Sequence, residues 1–132
     1  MIKKLIIISL LWAVLILVLC FIPGNSLPKT PIIPHFDKFI HAGLFFIFSI
    51  LLLPLLDQTR IKSLRIIAPF IIILIVGIYG GFIEIAQEKW FVGRTGDIKD
   101  FYSDLAGGIL GILVYYLLLK HLILKWSNSS IT

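Results

Sequence analysis

Four stretches of this chain are too apolar and too long for a water-soluble fold. Residues 5–22 carry no charge, and residues 39–56 are apolar apart from His41 and Ser49. Residues 66–83 are charge-free and end against Glu84, and residues 105–119 are charge-free again. A helix needs about 20 mostly apolar residues to cross the hydrocarbon of a bilayer. Lipid offers no partner to a backbone N–H or C=O, so such runs must close their hydrogen bonds internally, as helices. They predict an all-α polytopic membrane protein, a single domain over residues 1–132 with transmembrane helices at roughly 5–22, 37–56, 64–85 and 100–124. The composition agrees: 59% of residues are hydrophobic, only 14% are charged, and the mean hydropathy is +1.06. A soluble domain has about a quarter of its residues charged. Pro54 and Pro69 fall near the ends of their runs, where a missing N–H is better tolerated.

Several classes drop out. The formal net charge is +5, but the lysines and arginines are scattered and not interleaved with aromatics, so nucleic acid is not an expected partner. Cys20 is the only cysteine, which excludes a disulfide within the chain. Lys3 and Lys4 precede the first run as in a secretory signal. That run is longer than a signal core, however, and no small-x-small cleavage pattern follows it. Leu19 is too bulky for lipoprotein processing at Cys20, so the run is expected to remain as a helix.

Four crossings put both termini on one side. Lys3, Lys4, Arg60, Lys62, Arg65, Lys120 and Lys125 then share that side and outnumber Lys29, Lys38, Lys89, Arg94 and Lys99 on the other. The positive-inside rule therefore makes both termini cytoplasmic. Pro23, Pro28, Pro31 and Pro34 predict an extended first outer connection. Trp90 and Trp126 suit the two headgroup levels. The tail over residues 127–132 is expected to fray.

The acids fall almost wholly on the other, outer side. Asp37, Lys38 and His41 open the second helix, with Asp37 and His41 sharing a face at i,i+4. Glu84, Gln87 and Glu88 close the third, where an acid opposes the helix macrodipole and calls for a partner such as Arg94 or His41. Asp97, Asp100 and Asp104 lie on one face of the fourth helix with Gly107, Gly108 and Gly111. Gly107 and Gly111 form a small-residue packing seam, and Gly77, Gly80 and Gly81 form a second patch, so the third and fourth helices are expected to meet there. Taken singly, these polar residues also read as capping acids, an interfacial histidine, a snorkelling glutamate and a headgroup arginine. Taken together, they mark a site, because ionisable groups inside a membrane protein are expensive to keep.

The pattern Asp37-Lys38-x-x-His41, Glu84-x-x-Gln87 and Arg94-x-x-Asp97-x-x-Asp100-x-x-x-Asp104-x-x-Gly107-x-x-x-Gly111 resembles the VanZ-like family of bacterial membrane proteins, over about residues 5–120. Where many members carry an asparagine, this chain has Asp104, which adds a titratable group at the deepest position. The resemblance implies a multi-pass protein of the bacterial cytoplasmic membrane. Its founding member is associated with low-level resistance to the glycopeptide antibiotic teicoplanin by an unknown mechanism. It does not imply a reaction, because a fold is not a function.

Two functions follow as expectations. In the first, the outer cluster binds or acts on an anionic, lipid-linked envelope component. His41, Glu84 and Asp104 would do acid–base chemistry, and Asp37, Lys38, Gln87, Arg94, Asp97 and Asp100 would hold the ligand. In the second, the cluster is a structural network, with a Glu84–Arg94 pair fixing helix register, in a non-enzymatic factor that alters antibiotic docking. Membrane lipids, a lipid-linked precursor or a lipoglycopeptide are the expected partners, and no cofactor is expected. His41, Glu84 and Asp104 are acceptable ligands for Zn, Mn or Fe. The chain lacks a tight His-x-x-x-His pair, and no metal is assigned.

Overall fold

The computed structural model describes residues 2–22, 35–91 and 95–122. The proline-rich connection, Arg94, Lys125, Trp126 and the tail lie outside the described residues. Four helices follow the apolar runs: α1 (Ile2–Cys20), α2 (Phe36–Asp57), α3 (Lys62–Trp90) and α4 (Ile98–Val114). A π-helical segment, Tyr115–Leu119, continues α4 through to Leu122. Each is long and apolar enough to cross a membrane, and no strand occurs among the described residues. The chain is an all-α, multi-pass membrane protein.

The helices run further than the sequence boundaries at most ends. The largest difference is at α3, which continues to Trp90 where the acids suggested a stop near residue 85. Glu84 therefore sits six residues inside the helix. The macrodipole argument does not apply to it, because that effect is confined to the last turn. Both prolines lie inside helices, Pro54 in the last turn of α2 and Pro69 in the second turn of α3.

α2 and α4 run parallel and share the most extensive contact in the bundle. The cause is local. A Cβ on Gly107 would strike the backbone carbonyl of Ala42, and one on Gly111 would strike that of Phe46. Only glycine permits so close a backbone approach. The seam expected to face α3 thus faces α2. The α3 glycines do meet α4: a Cβ on Gly80 would lie 2.6 Å from Asp104 Oδ2, and one on Gly77 would lie 3.7 Å from Leu105.

Phe45, Phe48, Ile72, Val76, Ile83, Ile112 and Tyr115 form the buried core. The rings of Phe48 and Tyr79 stand 5.6 Å apart between α2 and α3. α1 buries only Ser9, Ile16 and Cys20. Polar ties replace packing there: Trp12 Nε1 donates to the Leu44 carbonyl at 2.9 Å, and Tyr79 OH donates to that of Ala13 at 2.6 Å. Lipid is as apolar as leucine, so helix association in a membrane draws on such bonds and on tight packing.

At the bundle end opposite His41, Asp57 accepts hydrogen bonds from Tyr115 OH at 3.0 Å and Lys120 Nζ at 3.1 Å. The π-helical turn makes this grip. The Lys120 N–H bonds the Tyr115 carbonyl, and an i→i+5 turn stacks residues five apart. Regular α-helical spacing gives no hint of a Tyr115–Lys120 pair, so the sequence left this cluster unread.

Candidate functional site

Parallel α2 and α4 meet in a ladder at the polar end. On the first rung, Lys38 Nζ donates to Asp37 Oδ2 at 3.0 Å, Asp97 Oδ2 at 2.9 Å and Asp100 Oδ1 at 2.9 Å. An ammonium has three N–H bonds, and each meets a carboxylate. Lys38 is thus a clamp between the starts of α2 and α4. On the second rung, His41 Nδ1 lies 2.9 Å from Asp104 Oδ1, both buried. The next contacts are Ala42 with Gly107 and Phe46 with Gly111. The glycine seam holds the backbones close enough for the short Asp104 side chain to reach His41.

α3 closes the third side. Glu84 Oε2 accepts the Asp97 N–H at 2.7 Å. Asp97 in turn caps α4, its side chain accepting from Lys99 N at 2.8 Å. Gly96 lets this connection lie against α3, since a Cβ there would sit 2.8 Å from the Glu84 carbonyl oxygen. Gln87 Nε2 donates to the Cys20 carbonyl at 2.7 Å and ties α3 to the end of α1.

His41, Glu84 and Asp104 come together: one ligand-type atom from each lies within 4.8 Å of the others. Two oxygens in this group, Glu84 Oε1 and Asp104 Oδ2, are buried without a hydrogen-bond partner among the described residues. Lys38, Asp37, Asp97 and Asp100 form the adjoining charged rung. Gln87 is turned toward α1. Arg94, and with it the expected Glu84–Arg94 pair, lies outside the described residues.

Two clefts flank the cluster. One of about 310 Å³ separates α1 from α2 and is lined by Cys20, Asp37, His41 and Leu44 among others. The other, of about 390 Å³, lies along α3 and α4 and is lined by Gly81, Glu84, Glu88, Gly96 and Phe101 among others. Both are mostly apolar and carry a site residue.

Outside the spans, the Asp97 carboxyl is held below its ordinary range, first by the Lys99 N–H and then by the Lys38 ammonium. A lowered carboxyl stabilises the fold above its unfolded value, about pH 4, and that stabilisation is lost as pH falls through the folded value. Thermal unfolding in detergent, followed from pH 7 to pH 3, should decline less in Asp97→Asn than in wild type. Equal declines would remove this account of the cap.

No curated protein and no solved structure matches the chain. A family model described as VanZ/LLP1 matches residues 5–120, which takes in both rungs of the ladder, Glu84 and the glycine seam. The chain belongs to the VanZ/LLP1 family.

Proposed function

We propose that this protein binds the polar head of an anionic, lipid-linked envelope component at the outer leaflet and carries out acid–base chemistry on it. The supporting observation is the buried meeting of His41, Glu84 and Asp104 beside clefts lined largely by apolar groups. With Asp104 ionised, His41 Nδ1–H donates to Oδ1 and fixes the tautomer, which leaves Nε2 to take a proton. Glu84 is the second proton-transfer group when the three side chains hold no ion. The apolar clefts take the lipid portion. Lys38 is engaged by three carboxylates, so the anion contact falls to Arg94, whose planar fork suits a phosphate or carboxylate. Both termini are then cytoplasmic, and the link to teicoplanin resistance is part of the same reading.

The test is teicoplanin susceptibility in cells expressing wild type, His41→Ala, Glu84→Gln or Arg94→Ala, with protein level in the membrane measured alongside. Wild type should protect, and each stably inserted variant should return cells to the susceptibility of those without the protein. Full protection by all three variants would sink the proposal.

A second reading has an observation behind it: most of these polar groups also tie helices together, as Lys38 ties α2 to α4 and Gln87 ties α3 to α1. On that reading the protein is a non-enzymatic membrane factor that alters how an antibiotic docks. Glu84→Gln would then keep full protection while His41→Ala weakened it only in proportion to protein level.

A further inference from the structure

We propose that His41, Glu84 and Asp104 bind one divalent first-row transition ion, of the zinc, manganese or iron(II) class. The three side chains come from α2, α3 and α4, and their ligand atoms lie within 4.8 Å of one another. His41 Nδ1 and Asp104 Oδ1 stand 2.9 Å apart. With bonds of about 2.1 Å, neighbouring ligands stand about 3.0 Å apart at octahedral angles and about 3.4 Å apart at tetrahedral ones. An ion bound to both would displace the proton they share and sit to one side of the line between them, and Glu84, within 4.8 Å, would move in to complete the set.

The two orphaned oxygens point to such an ion independently of the clustering. Asp104 Oδ2 and Glu84 Oε1 have no hydrogen-bond partner among the described residues, and their residues are 0% and 8% exposed. A buried carboxylate oxygen without a partner is costly, and native structures satisfy nearly all such groups. A cation held between the two carboxylates would satisfy both. Charge argues the same way. Among the described residues, five carboxyls (Asp37, Glu84, Asp97, Asp100 and Asp104) gather here against Lys38 and His41, and the lysine's three donors are all committed to the first rung. Among these groups the excess negative charge is therefore left with Glu84 and Asp104.

The donor set selects the class of ion. Two carboxylates and one imidazole are too nitrogen-rich for a magnesium or calcium cage and too hard for copper(I). Three protein ligands also leave an open position, as catalytic metal sites do. At that position the ion would supply the positive charge that Lys38 cannot offer to an anionic headgroup. That last step rests on the function proposed above, whereas the ion site itself does not. The ligands are dispersed from residue 41 to residue 104, so no short metal motif announces them.

The test uses full-length protein in nanodiscs, stripped with a chelator and titrated with Mn²⁺ or Co²⁺. One equivalent should bind, with loss of the free Mn²⁺ paramagnetic-resonance signal and with visible Co²⁺ absorption bands. Glu84→Gln and Asp104→Asn should each weaken Mn²⁺ binding by about tenfold or more, while Asp57→Asn at the opposite end should leave it unchanged. Wild-type protein that holds no more ion than empty nanodiscs overturns the proposal, and so does unchanged affinity in folded Glu84→Gln. The wild-type titration needs no variant, so a misfolded mutant does not rescue or condemn the site. Ion binding without drug protection would leave the metal site standing and remove the lipid-substrate reading; protection without ion binding would do the reverse.

Discussion

Replacing Gly107 with alanine is expected to destabilise the protein by about 3 kcal/mol or more, near the upper end for overpacking a tight interface. The added Cβ would strike the Ala42 carbonyl oxygen, carbon and Cα. These are backbone atoms of a neighbouring helix, so no side-chain rotation relieves the contact. α2 and α4 must separate, which also draws Asp104 away from His41. Gly43→Ala is the matched control. It lies on α2 with nothing within 4 Å of its added Cβ, and alanine favours a helix over glycine by about 1 kcal/mol. Thermal unfolding in detergent should show a marked loss in the first variant and none in the second. Equal stability of Gly107→Ala and wild type would mean that the seam is not closed as described.

Lys38→Met is expected to cost about 2–4 kcal/mol, chiefly by leaving three carboxylates facing one another without a cation. The range sits below that of a fully buried pair because the Asp37 side chain is 57% exposed and can turn to water. Asp100 is buried and cannot. Adding Asp100→Asn to Lys38→Met should therefore recover part of the loss, and a double-mutant cycle would report the coupling. If Lys38→Met unfolds at the wild-type temperature, the lysine is not the clamp between α2 and α4. If the double variant is less stable than the single one, repulsion among the acids is not the cause.

The membrane helices were legible in the sequence because lipid imposes one rule over every span, and apolar length alone expresses it. The identity of the cluster was legible too, since Glu84 and Asp104 had no cheap place in lipid. Partnerships were not. Lys38 and Asp100 are 62 residues apart, and His41 and Asp104 are 63; helical periodicity carries no information at that range. Lys38 read as a free cation for a ligand because two of its three acidic partners, Asp97 and Asp100, lie at the start of another helix. Gly107 and Gly111 announced a close approach without saying to which helix. The end of α3 was misplaced because acids at residues 84 and 88 looked like a boundary, whereas Glu84 is held by the Asp97 N–H and the helix runs on past it.

The parallel pairing of α2 with α4 also bears on how the molecule is made. Parallel neighbours cannot be consecutive in a chain that crosses a membrane: an intervening helix has to return first, and here it is α3. Synthesis proceeds from the N-terminus, so α2 enters the bilayer while Asp97, Asp100 and Asp104 have yet to emerge from the ribosome. During that interval Lys38 has only Asp37 beside it, His41 is without Asp104, and the face of α2 at Ala42 and Phe46 waits for the glycine seam of α4. The cluster comes into being only with the last helix, so a nascent chain truncated after α3 would hold three spans and no site.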